Sequence, residues 1–482
     1  MRVSEFYSLG VSQPSLDFLD VDVEKDTRVF VDPFAFSYLQ SDWGRECVSL
    51  LQDFYTEVLD AIRSGHRKRA LSLLAMLGES NEAHLGLSSD ASHGSGVSDG
   101  LALEIFEALS TSRAVASGLL TDVHETVLFV EGIGHDRISD MTIAIVRRQL
   151  IEYTQRMCDL NGIPMVWGLD SGPMWNRQTH KWDAEHVDLP MPNGKLLLIP
   201  KAIVRKTSTF DAGDYLRHFV LPYLQEQELQ DSSSTIVQER RSKSRRGVKF
   251  VTKKDIVARD GKATKEWNTD VTDQYPELLD KYRAEKARAT EPPDHDAIAA
   301  ATETDGPDWD GLLEAVRSVP PGRAGADDYH RAVQHLLTAL LYPALDMPVR
   351  EFKRNEGRKR IDIVFTNLAE TGFFHWLHNA GGVPAGLVVI ECKNYSAPLS
   401  NPEFDQLTGR FSPLKGQFGL LCYRGFADDK ASVVRHCRDA ALDRRGFVIA
   451  LDDDDLVELV QSRKDGELTL FKHLMDRFQE LI

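Results

Sequence analysis

The sequence predicts an α/β protein in which a mixed α/β N-terminal module precedes a C-terminal mixed sheet flanked by helices. Two observations carry that prediction. After residue 308 a helix is followed by two strand-like stretches, a helix and a further strand, an order that gives a sheet with helices on both faces. Between the two parts, residues 226–307 turn polar, charged and poor in aromatics. At 482 residues the chain is too long for one ordinary core, so two or three domains are expected. The divisions read from composition are a module at 1–225 with a sensing or regulatory role, a charged connecting segment at 226–307, and a domain at 308–482.

The first module opens with "LDFLDVDVEKDTRVFVDP". Apolar and acidic residues alternate through Phe18–Val23, which predicts two short strands joined at Glu24–Asp26, with the acids exposed along a sheet edge. Val48, Leu51, Phe54, Val58 and Ile62 recur at helical spacing, with Ser41 or Asp42 as N-cap. A Ser/Gly loop at 88–100 leads into the helical "LALEIFEAL". "TVLFVEGIG" (126–134) reads as a buried strand, and "ISDMTIAIVRRQLIEYTQRMC" as one long helix capped by Ser139 or Asp140. "KLLLIPKAIV" (195–204) reads as a bent strand or strand pair. Within the connecting segment, 290–308 has Pro, Asp and Thr and no periodic apolar face, which marks it as the linker candidate.

In the last part, helices "WDGLLEAVRSV" and "ADDYHRAVQHLLTALLY" precede strand-like "PVREFKRNEGRKRIDIVFTN". The stretch around "FFHWLHNAGGVPAG" looks irregular. Strand "LVVIECKNY", helix "NPEFDQLTGRF", strand "FGLLCYRG", helix "DKASVVRHCRDAALDRR", strand "FVIALDD" and a terminal helix complete the order.

Composition narrows the function. Hydrophobic residues make up 42% and charged residues 27%, with no apolar run near the ~20 residues of a membrane span. "MRVSEFYSLGVSQPSLDF" lacks the charged-then-apolar pattern of a secretory signal, so a cytoplasmic location is the expectation. The five cysteines are scattered without CxxC pairs, which argues against a zinc site. The net charge of −17 excludes a protein that coats nucleic acid without specificity. Residues 321–482 carry only −2 of it, leaving −15 to the rest. Contact with a polyanion must then come from local patches, at 239–254 ("ERRSKSRRGVKFVTKK") and at 350–363 ("REFKRNEGRKRIDI").

The strand "LVVIECK" ends in two opposite charges. Residues i and i+2 of a strand share a face, so Glu391 and Lys393 emerge together. Asp362, between Ile361 and Ile363 in "KRIDIVF", is an acid that is costly to bury without a cation or strong donors. If these strands pair, Asp362 and Glu391 converge on one hard cation. Mg²⁺ suits one or two carboxylates and retained waters. Such an ion activates water and stabilises charge on a phosphate, while Lys393 orients or deprotonates the nucleophile. The bland alternative is a salt bridge on an edge strand, against which stands the apolar run preceding Glu391.

Asp362 followed by Glu391-Cys392-Lys393 resembles the PD-(D/E)XK motif of the restriction-endonuclease-like nucleases, over roughly 308–460. The resemblance implies a restriction-endonuclease-like sheet and cleavage of DNA phosphodiester bonds with Mg²⁺, for which Mn²⁺ can substitute. It makes Asp362, Glu391 and the Cys392 carbonyl the metal ligands, with Lys393 catalytic. Gln406 and Arg410, at i and i+4 of the next predicted helix, match a Gln and an Arg near the metal or phosphate in such enzymes. Lys353, Arg354, Arg358, Lys359 and Arg360 lead into the strand of Asp362 and are the candidate DNA contacts, together with Arg410. The Asp362–Glu391 separation is long for the family, so "ETGFFHWLHNAGGVPAG" is expected to form a hairpin insertion. Where the family often has an acid on its first helix, this chain has Asp327, Asp328 and His330. A long module fused to such a nuclease is an arrangement of bacterial restriction and antiviral-defence effectors. The competing reading is a catalytically silent restriction-type fold that binds nucleic acid or protein, with activity in the N-terminal module. DNA is the expected partner; RNA, a homo-oligomer and a defence-system protein stay open, and no membrane partner is expected.

Three other motifs have quieter readings. "GIGHDRISDM" (132–141) reads as a strand–helix turn with Asp140 as N-cap. "LDDDDL" (451–456) reads as helix capping plus solvated acids. His375 and His378 read as packing histidines.

Overall fold

The computed structural model describes every residue except 40, 79, 87–97, 240–246, 261–262, 290–291, 351–362, 400, 413–415, 426–429 and 467–469. The predicted fold class is seen: a five-stranded mixed sheet flanked by helices follows a mixed α/β module with smaller sheets.

Helix α1 (Trp309–Arg317) and helix α2 (Ala326–Leu341) lead into strand β1 (Leu345–Arg350) and strand β2 (Ile363–Asn367). Helix α3 (Gly372–Asn379), strand β3 (Leu387–Lys393) and helix α4 (Asn401–Thr408) follow. Strand β4 (Phe418–Tyr423), helix α5 (Lys430–Leu442), strand β5 (Phe447–Leu451), helix α6 (Asp453–Lys464) and helix α7 (Leu470–Gln479) close the chain. The sheet runs β5-β4-β3-β2-β1, so β3 is central. It pairs antiparallel with β2, from Ile363↔Ile390 to Thr366↔Leu387, and parallel with β4, where Glu391 faces Leu421 and Lys393 faces Tyr423. The parallel pairs β3/β4 and β4/β5 are each bridged by a helix, as parallel connections require. Continuous apolar runs suit these strands because helices cover them; all six residues of β4 are buried.

The "FFHWLHN" stretch departs from expectation. Instead of a hairpin it forms α3, which buries Phe373, Phe374 and Leu377 and packs on α7. Those three positions fall on one helical face, a periodicity that the flanking glycines obscured. His378 Nδ1 accepts from the Ala385 N–H at 3.1 Å and His375 Nδ1 lies 3.2 Å from the Ala369 carbonyl oxygen. His375 is half-buried as a packing histidine would be, whereas His378 is exposed and only caps locally.

The first module is more helical than expected. "TVLF" is a helix, Thr126–Phe129, because Asp122 and Glu125 form a reciprocal capping box immediately before it. The long helix is two, His135–Ile145 and Arg147–Asn161, broken at Val146 and capped by Gly134 rather than by Ser139 or Asp140. Ser139 instead points inward, its Oγ accepting from the Val31 N–H at 2.9 Å. Only Phe30–Val31 of the opening segment is a strand, and its partner is Val204–Arg205. In "KLLLIPKAIV" a 3₁₀ turn at Lys201–Ile203 precedes that short strand.

The polar composition of 226–307 conceals helices at Lys253–Asp260, Lys265–Gln274, Glu277–Ala289 and His295–Thr302. Ile256, Val271, Leu279, Tyr282 and Ile298 from these helices are buried in the same apolar cluster as the first module. The stretch 290–308 therefore includes an ordered helix whose His295 Nε2 lies 2.9 Å from the Ala339 carbonyl oxygen.

A second apolar cluster fills the five-stranded domain, while Tyr342, Met347 and Leu368 belong to the first. Asp17 marks the junction. Its Oδ1 accepts from the Met347 N–H at 2.8 Å and its Oδ2 from the Tyr153 hydroxyl at 2.6 Å. Asp17 and Asp20 are buried, not exposed on an edge as their alternation predicts. Buried Lys201 sits over the Tyr342 ring at 4.0 Å and donates to the Leu16 carbonyl at 2.7 Å. Burial, then the charge of Asp17, holds the Asp346 carboxyl well above the usual range. Among the described residues no helix is long and apolar enough to cross a membrane.

Candidate active site

Glu391 and Lys393 lie at the C-terminal end of the central strand on one face, as strand alternation requires. Both are buried, Glu391 at 3% exposure and Lys393 at 9%. Lys393 Nζ lies 2.5 Å from Glu391 Oε1. Arg410 Nη1 donates to the other oxygen, Oε2, at 2.8 Å. Gln406 Oε1 accepts from Lys393 Nζ at 3.2 Å, and the Tyr395 ring lies 5.9 Å from that ammonium. Two cations thus meet on one carboxylate, and Gln406 and Tyr395 flank the lysine.

Arg410 reaches Glu391 from just outside the helix expected to carry it. Helix α4 ends at Thr408, and the Arg410 N–H bonds to the Leu407 carbonyl in the closing turn. Phe411 fixes that turn. Its ring occupies the space where a side chain at Gly446 would stand, 2.3 Å from a Cβ there, and Gly446 also has φ +119°. On the other side, Asn394 Nδ2 donates to the Pro320 and Gly322 carbonyls at 2.9 and 3.1 Å, tying the end of β3 to the loop before α2.

Burial raises the pKa of Glu391 from its ordinary value, and the charge and hydrogen bond of Lys393 offset only part of that. His330 of α2 also pulls it down and Glu403 of α4 pushes it up, so both lie within electrostatic reach. The sequence marked His330 only as standing where the family has an acid; Glu403 gave no signal. Cys392 lies opposite Cys422 in the ladder, and their hydrogen bond, with burial, holds the Cys392 thiol well above its usual range. Asp362 lies outside the described residues, as do Lys353, Arg354, Arg358, Lys359 and Arg360.

The donor chemistry suits a hard cation: Glu391 offers anionic oxygen at the end of a rigid strand, and Mg²⁺ needs only one or two carboxylates with waters. Two other groups of side chains have metal-ligating composition among the described residues, Asp122–His124–Glu125 and Asp455–Glu458–His473. Both are paired with cations, as Glu391 itself is: Arg283 Nε donates to Glu125 Oε1 at 2.6 Å, and Lys430 Nζ lies 3.1 Å from Asp455 Oδ1.

"LDDDDL" caps α6 as expected. Asp452 Oδ1 accepts from the Asp454 and Asp455 N–H groups, and Asp455 Oδ2 accepts from the Asp452 N–H at 3.0 Å. The expectation of solvated acids fails at Asp452 and Asp455, which are buried under Lys430, His473 and Arg477.

One family model matches the chain, described as a domain of unknown function (DUF8370), over residues 8–211. That match covers the first module and ends well before the sheet of Glu391. Neither curated proteins nor solved structures gave a match.

Proposed function

We propose that the chain is a Mg²⁺-dependent endonuclease that hydrolyses DNA phosphodiester bonds, working as an effector of bacterial restriction or antiviral defence. The observation that carries this reading is the pairing of Lys393 and Arg410 with Glu391, and of Gln406 with Lys393, at the end of a central strand. That arrangement resembles a PD-(D/E)XK site, and Asp362 directly precedes Ile363, whose partner Ile390 directly precedes Glu391.

Each residue then has a task. Glu391, with Asp362 and the Cys392 carbonyl, would hold the ion, which would supply a polarised water and neutralise charge on the phosphate. Lys393 orients the attacking water, and Gln406 holds Lys393 by its Oε1. Arg410 offers a bidentate donor to the scissile phosphate as negative charge gathers on its oxygens. The defence role rests on analogy in domain arrangement alone.

A silent binding module is the second reading, favoured by one feature: both Glu391 oxygens are already paired with cations, as in a purely structural cluster. Plasmid cleavage with and without Mg²⁺, on wild type and Lys393→Ala, separates the two. Mg²⁺-dependent nicking that Lys393→Ala abolishes supports the nuclease; the absence of cleavage by wild type on duplex and single-stranded DNA and RNA sinks it.

A further inference from the structure

From the closure of both Glu391 oxygens we infer that Arg410 competes with the metal ion for Glu391, so that the ion and the nucleic acid load together. The inference rests on the nuclease reading and adds the order in which its parts assemble. Each Glu391 oxygen already faces a positive charge, Lys393 at 2.5 Å and Arg410 at 2.8 Å, and the Glu403 carboxylate of α4 adds only a weaker opposing field. A divalent cation approaching that carboxylate meets like charge at close range, in a site only 3% exposed, where screening by water is weak. Glu391 can serve as a metal ligand once one of its cations finds another partner.

Lys393 is the less able to leave. It sits on the same strand two residues away, so its own backbone keeps it beside the carboxylate. Arg410 has a long side chain rooted in a turn, and its planar guanidinium matches a phosphate at least as well as a carboxylate. A backbone phosphate arriving at the site draws Arg410 off Oε2, which does two things at once. It frees the oxygen for the ion and places a second anion beside it. By linkage, the nucleic acid then tightens the metal as much as the metal tightens the nucleic acid. Without substrate the site stays closed by its own arginine, which keeps a loaded nuclease from forming in advance of its target.

The test measures Mn²⁺ binding to the full chain by electron paramagnetic resonance, with and without a phosphorothioate-substituted duplex that resists cleavage. Wild type, Arg410→Met and Arg410→Gln are compared, and Glu391→Gln identifies signal from ions bound elsewhere, which is subtracted. The expected result is that the duplex tightens Mn²⁺ binding to wild type by about tenfold or more. Both arginine variants should bind Mn²⁺ about tenfold more tightly than wild type without duplex and lose most of its further effect. Equal Mn²⁺ affinity in wild type and both variants without duplex overturns the inference, while Mg²⁺-dependent, Lys393-dependent cleavage would leave the nuclease reading standing. No Glu391-dependent Mn²⁺ binding under any condition overturns both. Should the arginine variants fail to fold by circular dichroism, the wild-type comparison alone decides: no tightening by the duplex overturns the inference.

Discussion

Two carboxylate clusters stand at the C-terminal ends of parallel strands in one sheet, one after β3 and one after β5, and they are built differently. Asp455 is tied into the backbone: it exchanges hydrogen bonds with Asp452 across the first turn of α6. Lys430, His473 and Arg477 from two other helices complete its shell. Burial would raise its pKa, yet the His473 ring 3.3 Å away, the Asp452 N–H and the charges of Arg477 and Lys430 together hold it well below the usual range. Glu391 is held by two side chains, Lys393 and Arg410, and its pKa is raised. One backbone donor and a shell of three side chains keep Asp455 anionic down to acid pH and structural. Side-chain partners that can move leave an acid costly to ionise and open to exchange, which is what a ligand site requires.

Breaking the structural cluster should have the largest effect on folding. Asp455→Ala takes the carboxylate from Arg477, which is 11% exposed, while the 40% exposed Lys430 keeps Asp452. Breaking a buried pair costs about 3–5 kcal/mol, reduced here by what solvent screens. Urea unfolding at neutral pH measures the loss. A change under 1 kcal/mol would mean that solvent already screens the cluster, and the contrast with Glu391 would fail.

The reverse dissociation comes next. Glu391→Gln, like Asp362→Ala, should lower Mg²⁺-dependent cleavage by about a thousandfold or more, roughly 4 kcal/mol of barrier, while the protein stays folded. Asp455→Ala, assayed below its melting temperature, should cleave within a few-fold of wild type. Comparable activity losses in Asp455→Ala and Glu391→Gln would merge the two clusters into one functional unit.

How much of this the sequence disclosed follows from the range of each contact. Glu391 with Lys393, and Gln406 with Arg410, are local pairs whose shared face is set by strand or turn geometry, so spacing alone placed them together. The pairing of β2 with β3 entered the sequence reading only as a condition, and the structure supplies it. Asp455 was read as a cap for the same reason, since its bond to Asp452 spans three residues. Its burial was not readable, because Lys430 and Arg477 arrive from 25 and 22 positions away. Asp17 is the extreme case. Its partners Tyr153 and Met347 are 136 and 330 residues distant, and an acid in an alternating run gives no sign of them. Helices at 226–307 escaped notice because each offers only one to three buried apolar residues, too few for a periodic stripe.

A smaller effect probes how Lys393 is held. Gln406 touches Lys393 and not Glu391 among the hydrogen bonds described, so it acts through the lysine as a positioning residue. Gln406→Ala should reduce kcat about tenfold, roughly 1.4 kcal/mol, with KM for DNA nearly unchanged. Gln406→Glu should restore part of the rate, since a carboxylate oxygen can accept from the same ammonium. A rise in KM with kcat intact would instead put Gln406 on the DNA, and the Glu391 cluster would have one moving partner fewer.

The smallest expected effect is the most direct contrast, because its sign differs between the two acids. Asp455 has a folded pKa below the ordinary 3.8, so its ionisation stabilises the fold. That contribution is complete above pH ~4 and is lost as acid carries the protein below 3.8 towards the folded value. Glu391 has a folded pKa above 4.5, so its ionisation costs stability, and the cost appears only as pH climbs from 4.5 through the folded value. Melting curves of Asp455→Asn and Glu391→Gln, each subtracted from wild type between pH 3 and 7, should therefore run in opposite directions. With rising pH the Asp455 variant falls further behind wild type and levels off near pH 4. The Glu391 variant gains on wild type beyond pH 4.5, by a few degrees at most. If Glu391→Gln also loses ground with rising pH, then Lys393 and Arg410 outweigh burial at that carboxylate. Glu391 would then be an anchored structural acid like Asp455, and its oxygens would be closed to a metal ion for good.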